Sequence, residues 1–346
     1  MTVARTSAYR RIATEEAFFT REVMQAYRAL LAEPAFDDPG FRRLWGTFLS
    51  DRPRTVKLVE RLIDLGEQRI ADMDASGIDM QVLALTSPGV QAFDAPLARD
   101  LAQASNDQLA AAVRKYPDRF AGLAAIAVQD PAAAVKELER GVRTLGLKGA
   151  IINSHTRGEY LDDAKFWPIL EAAEALGAPI YLHPNTPPRA MIEPFTGRGL
   201  DGAVFGFAVE TALHMLRIIV SGALDRFPKL QFVLGHLGEG LPYWFFRLDF
   251  MHGRMVADKR FAGAQPLARK LSEYFTANIT LTTSGMAWQP AIMFAHSVVG
   301  AERLMYAMDY PYQYVPEEVL VTDALPLSAA DKKRFYQSNA EKVFSL

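Results

Sequence analysis

Cysteine is absent from this chain of 346 residues. Disulfides, iron–sulfur clusters and thiolate zinc sites are thereby excluded together, and any metal must be held by oxygen and imidazole. No apolar run approaches the ~20 residues that a membrane span requires. The opening MTVARTSAYRR has no apolar stretch behind its charges, unlike a secretory signal. An excess of one charge is lacking too. The 38 Lys and Arg against 40 Asp and Glu leave a net charge of −2, with no basic block to follow a nucleic-acid backbone. No glycine-rich phosphate loop follows any early strand candidate, which counts against an open dinucleotide-binding sheet. What remains is a soluble cytoplasmic protein whose partners are small molecules rather than nucleic acid or membrane.

Half of the residues are hydrophobic, enough for a large core. Short β-type runs alternate with amphipathic helical segments along the whole chain. The strand candidates are Arg11–Phe18, Met80–Thr86, Phe120–Val128, Leu147–Asn153, Pro179–His183, Leu230–His236, Ala277–Thr283 and Leu304–Asp309. TVKLVERLIDLGEQRIADMDASG carries the clearest helical stripe, with Leu58, Leu62, Leu65, Ile70 and Met73 among charges and Gly77 to stop it. DPAAAVKELERGVRTLG and LDDAKFWPILEAAEALG each open on Asp and close on Gly. Most strands are apolar without strict alternation, as in a parallel sheet covered on both faces. The pattern predicts an α/β fold, a (β/α)8 TIM-like barrel formed as one domain over residues 1–346. Long, aromatic- and Pro-rich connections after the first, fifth and eighth strands would wall the C-terminal face, where such barrels place their sites.

In a barrel, chemistry belongs at the C-terminal strand ends. Those ends here carry Glu15, Thr86 and Ser87, Asn153 to His155, His183, His236, Thr282 and Thr283, and Asp309. Three of the six histidines fall at or just beyond the ends of the fourth, fifth and sixth strands. Glu15 and Asp309 end the first and eighth strands, which are neighbours once a barrel closes. Adjacent Glu15 and Glu16 cannot both point inward, since strand residues alternate between faces. The inward one needs a cation, because a buried unpaired carboxylate costs several kcal/mol, roughly. In LGHLGEGLPYW, His236 ends a strand and Glu239 follows three residues later at the head of a helix. A carboxylate there can hold one imidazole nitrogen and raise the basicity of the other. Each residue also has a plainer reading: a turn at Asp309, a cap at Glu239, a loop histidine at His183 or His155. His214, His252 and His296 sit in helical segments, as packing or surface residues.

ATEEAF, YLHP, LGHLGE and YAMDYPY, in this order, resemble the metal-dependent decarboxylase branch of the amidohydrolase superfamily. The resemblance runs over nearly the whole chain, and INSHT, LDGAVFGFAVET and LPYWFFRLDFMH are most similar to the members acting on 5-carboxyvanillate. It implies a non-oxidative decarboxylase of an ortho-hydroxy aromatic acid derived from lignin. It also implies one divalent ion, Mn²⁺ before Zn²⁺, held by Glu15, His183 and Asp309, with Glu16 turned away into structural pairing. Ala17 stands where many amidohydrolases place a second ligating histidine, which puts a two-metal site in doubt. The resemblance makes Asp309 the proton donor to the ring carbon. His236, held by Glu239, would manage the phenol proton or bind an adjacent substrate oxygen, Arg54 and Arg247 would face carboxylate or hydroxyl groups, and Tyr312 and Phe207 would line the ring pocket. It further implies a homodimer or higher homo-oligomer, for which GFRRLWGTF offers an exposed aromatic segment. A lactonase-type hydrolase on the same barrel and a non-catalytic barrel that binds an aromatic acid are the alternative functions.

Overall fold

The computed structural model describes residues 9–346; the first eight residues of the stretch inspected for a signal lie outside them. The strands are β1 (Ile12–Phe18), β2 (Met80–Leu85), β3 (Phe120–Gly122), β4 (Ala124–Ala125), β5 (Ala150–Asn153), β6 (Ile180–His183), β7 (Phe232–Leu234), β8 (Ile279–Thr282) and β9 (Leu304–Met305). All of their pairings are parallel, in two runs, β1 to β3 and β4 to β9. Two links close the ring. Leu123 N donates to Leu83 O at 2.9 Å while Ala124 N donates to Gly149 O at 2.8 Å, so the chain changes partner between β3 and β4. On the other side, Thr14 N donates to Tyr306 O at 3.1 Å, joining the first strand to the segment after the last. The result is a TIM barrel with helices outside, and its buried apolar side chains form one cluster from Ile12 to Phe344. No helix among the described residues is long and apolar enough to cross a membrane.

Three expectations change in detail. The third strand, expected over Phe120–Val128, breaks at Leu123, where the backbone switches from β2 to β5. The eighth, expected to Asp309, keeps ladder pairing only at Leu304 and Met305, because the following residues bond to β1 and to Thr283 instead. The long helical stripe splits into Pro53–Ile63 and Glu67–Ser76. Asp64 makes the break: its Oδ1 accepts from Gly66 N and Arg69 N, both at 2.9 Å, and so starts a new helix. Gly77, at φ 67°, then ends that second helix in the left-handed conformation glycine adopts freely.

The connection after the first strand is ordered wall rather than exposed surface. Asp38 caps the helix Pro39–Phe48 by accepting from Phe41 N at 2.9 Å. Phe41 and Trp45 are buried, correcting the expectation of an exposed GFRRLWGTF. The Tyr27 ring stands 4.7 Å from that of Trp45 and 4.9 Å from that of Phe41. The densest group of exposed aromatics lies elsewhere, on the helix Leu241–Ala257. Tyr243, Phe246, Arg247, Phe250 and Met251 recur there at helical spacing on one solvent-facing stripe.

Candidate active site

β1 carries one extra residue relative to β2 between Ala13 and Glu16, a bulge that re-aims the carboxylates at its end. Glu15 points into the barrel mouth and is 4 % exposed. Its Oε2 accepts hydrogen bonds from the Tyr181 hydroxyl and from Thr282 Oγ1, the latter at 3.2 Å. Tyr181 lies two residues before His183 on β6, and Thr282 ends β8, so both strands deliver side chains to one carboxylate. Its Oε1 is buried and has no hydrogen-bond donor. That bare oxygen faces two imidazoles, with His183 Nε2 at 3.3 Å and His236 Nε2 at 3.7 Å.

The histidines are oriented from behind. His183 Nδ1 lies 2.8 Å from Pro184 O, an acceptor only, so Nδ1 carries the hydrogen and Nε2 turns its lone pair to Glu15. Burial holds the His183 pKa below the usual value, with Glu15 opposing. His236 Nδ1 lies 2.8 Å from Glu239 Oε1, the pairing that the spacing in LGHLGE suggested. The backbone reaches it by an unusual route. His236, Leu237, Gly238 and Glu239 have φ of 51°, 57°, 81° and 54°, a left-handed turn inserted between β7 and the helix Leu241–Ala257. Burial lowers the His236 pKa, but Glu239 and Glu15 override it and raise it to about 10.

These donors fit a divalent cation. A buried carboxylate oxygen without a donor, set against the lone pair of His183, is acceptor facing acceptor, and a cation between them resolves the conflict. Oxygen and imidazole are the only ligand types a chain without cysteine offers, and two carboxylates with one imidazole make a hard set. Asp309 does not close a ligand set with this pair: among the described residues no three Asp, Glu or His side chains are drawn together tightly enough to hold an ion. It belongs to the same electrostatic group nonetheless. Burial pushes the Asp309 carboxyl up to about 7; His236 and a hydrogen bond from Gln313 oppose, and Glu15 and Glu239 add to the rise. Asp309 has φ 68°, and Gly285 beside it leaves no room for a side chain between Asp309 and Gln313.

The other expected residues divide. Tyr312 is half-buried, hydrogen-bonded through its hydroxyl to Thr86 just beyond the end of β2, with its ring 5.4 Å from that of Phe48. Phe207 is half-buried in the first turn of the helix Gly206–Val220. Arg54 and Arg247 are exposed, and their side chains make no hydrogen bond or ion pair among the described residues. Arg54 is on the surface helix Pro53–Ile63 and Arg247 on the solvent-facing stripe, so neither joins the cluster within this chain. Both nitrogens of His155 are committed: Nδ1 accepts from Gly158 N at 3.0 Å and Nε2 lies 2.9 Å from Thr186 O. Sequence reasoning missed Tyr181 and Gly235. Strand alternation could have found Tyr181, since it shares the inward face of His183 two residues on.

Three comparisons bear on this geometry. The sequence profile of the amidohydrolase family matches residues 24–346. The chain is 37% identical over 298 residues to γ-resorcylate decarboxylase of Polaromonas sp., covering 84% of this chain and 90% of that one. A crystal structure of 5-carboxyvanillate decarboxylase from Novosphingobium aromaticivorans, complexed with manganese and 4-hydroxy-3-methoxy-5-nitrobenzoic acid, superposes with a TM-score of 0.97 at 50% identity, covering 100% of this chain and 98% of that one. The structure of 2,6-dihydroxybenzoate decarboxylase from Rhizobium matches with a TM-score of 0.84 at 32% identity, over 98% of this chain and 99% of that one.

Proposed function

The chain belongs to the amidohydrolase family and is a metal-dependent carboxy-lyase of aromatic acids, and on that premise we propose that it decarboxylates an ortho-hydroxy aryl acid of the 5-carboxyvanillate type, a lignin-derived aromatic, with Mn²⁺. The observation that carries this reading is the bare buried oxygen of Glu15, aimed at two imidazoles in one electrostatic group with Asp309. Residues 1–346 are read as one barrel domain built around it. Glu15, His183 and Asp309 would hold the ion, which would orient the substrate's phenolate and carboxylate oxygens and offset their charge.

The residues divide the remaining work. Direct loss of CO₂ would leave an aryl carbanion, so the ring carbon bearing the carboxylate must gain a proton first. Asp309 is the proposed donor. Burial and two carboxylate neighbours favour its protonated form, as that role requires. The proton forms a new C–H bond, the C–C bond breaks, its electron pair returns to the ring, and CO₂ leaves. Solvent then reprotonates Asp309. His236, fixed by Glu239 and kept in its protonated form by Glu239 and Glu15, donates from Nε2 to the phenol oxygen or an adjacent substrate oxygen. Tyr312 and Phe207 flank the ring, and Arg54, exposed on the helix Pro53–Ile63 that follows the first-strand connection, is proposed to turn toward an anionic group of the bound substrate. Arg247, on the exposed stripe, would meet substrate only across an interface with a second copy of the chain, so the proposed assembly is a homodimer or larger. The test is a panel of ortho-hydroxy aryl acids with Mn²⁺-loaded protein in D₂O. CO₂ release with one deuterium at the vacated carbon is expected; hydrolysis with no CO₂ would overturn the reading.

A further inference from the structure

Glu16, the neighbour of Glu15, faces away from the cluster and is fully buried. Both of its oxygens are in use: Oε1 accepts from Met308 N at 2.9 Å and Oε2 from Tyr310 N at 2.8 Å. Those two amides flank Asp309, so one carboxylate grips the backbone on either side of it. Asp309 lies between them at φ 68°, a conformation that non-glycine residues keep where their surroundings impose it.

The same strand holds Tyr310 by other handles. Ala17 N donates to Tyr310 O at 2.7 Å. The buried Arg69 guanidinium lies 4.7 Å from the Tyr310 ring centre while donating to Ala17 O at 2.8 Å. The Tyr310 hydroxyl donates to Asp72 Oδ2 at 2.9 Å. The residue after Asp309 is thus fixed at amide, carbonyl, ring and hydroxyl, whereas Met308 N, on the other side of Asp309, is held by Glu16.

We propose that Glu16 is a positioning residue, which sets the Asp309 carboxyl against Glu15 by holding the amides of Met308 and Tyr310. Two adjacent residues of β1 then serve one site from opposite faces, Glu15 within it and Glu16 through the backbone of Asp309. The catalytic part of this proposal rests on the role given to Asp309 above.

A double-variant cycle tests it, using wild type, Glu16→Gln, Asp309→Asn and the double variant. Three quantities are measured on each: turnover with saturating Mn²⁺, Mn²⁺ affinity of chelator-stripped protein, and thermal unfolding. Gln keeps the size of Glu but turns an N–H toward one of the two amides, releasing half of the grip. Glu16→Gln should lower kcat by about tenfold or more with KM changed less than about threefold, and weaken Mn²⁺ severalfold, since small misplacements of reacting groups are costly. In the Asp309→Asn background the same change should add less than about twofold to either loss, because residues acting through one another are not additive. Multiplying losses, or a Glu16→Gln protein indistinguishable from wild type, would overturn the proposal. If Asp309→Asn keeps wild-type turnover, the proton-donor role falls, and the four Mn²⁺ affinities still decide: non-additive values support Glu16, additive ones overturn it. Should Glu16→Gln not fold, Glu16→Asp carries the same cycle. Failure of both to fold would assign Glu16 to folding alone and overturn its positioning role.

Discussion

Gly235 and Glu15 are packed so closely that a Cβ on Gly235 would run into the Glu15 carboxylate at Oε2. The backbone of Gly235 is extended, at φ −69°, so close approach and not conformation demands a glycine here. Gly235→Ala should therefore push Glu15 off its two donors while leaving the barrel folded. Metal content per chain, by elemental analysis, and kcat/KM should both fall, the latter by about 10²-fold as for a misplaced reacting group. Full metal occupancy with unchanged turnover would show that Glu15 has room to spare.

Tyr181→Phe removes one of the two donors to Glu15 Oε2 and leaves Thr282. A lost hydrogen bond to a buried charged group costs about 1.5–3 kcal/mol. The expected result is Mn²⁺ affinity weakened about tenfold or more, with substrate KM moving less, since affinity changes tenfold per 1.4 kcal/mol. Isothermal titration of the stripped protein gives the number. An affinity equal to wild type would mean that Thr282 alone orients the carboxylate.

The raised Asp309 pKa makes a claim about metal-free protein. A carboxyl lifted from its unfolded value, roughly 4, to about 7 opposes folding once it must ionise in place. The penalty is absent below the unfolded value, grows as pH rises toward 7, and is constant above. Asp309→Asn should then raise the melting temperature at pH 8 and change it little at pH 4. Scanning calorimetry of stripped protein at both values would settle the sign. A lower melting temperature for the variant at pH 8 would contradict it.

The solvent-facing stripe of Leu241–Ala257 makes a claim about assembly. Phe246 is 84 % exposed and, among the described residues, stacks only on Phe250, itself 57 % exposed. Single exposed aromatics are ordinary, but a contiguous row of them marks an interaction surface. Phe246→Glu should convert a homo-oligomer to monomer in light scattering, with the melting temperature of the chain itself little changed. A wild type that is already monomeric at micromolar concentration would remove the proposal and, with it, the role of Arg247.

The barrel was legible because parallel strands read as short apolar runs and its helices carry their own start and stop residues. Asp130 capping Ala133 and Gly177 ending the helix Trp167–Leu176 at φ 61° are local chemistry. That Glu15 and Glu16 face opposite ways follows from strand alternation, the choice of Glu15 as the inward one comes from the resemblance, and the His236–Glu239 pairing follows from a spacing of three. What was not legible depends on tertiary context. The break at Asp64 looks like any helical Asp until its side chain is seen to take two amides. The aromatics of GFRRLWGTF and of LPYWFFRLDF have similar composition; the first are buried only because Phe19 and Tyr27 lie beneath them. Arg54 and Arg247 are placed near substrate by resemblance alone; that both side chains are exposed in the isolated chain is a tertiary fact the sequence does not carry.

The turn from His236 to Glu239 has the handedness that chains of L-amino acids resist, at roughly 1–2 kcal/mol for each residue with a side chain. Its chirality narrows the variation this stretch can accept. At Leu237, φ 57°, a β-branched replacement such as Val or Ile should be rejected, whereas Gly or Asn should be tolerated or even stabilising. A mirror-image residue makes the point most directly. D-alanine installed at 237 by peptide ligation should fit better than its L counterpart, in a protein where almost every other position would refuse it.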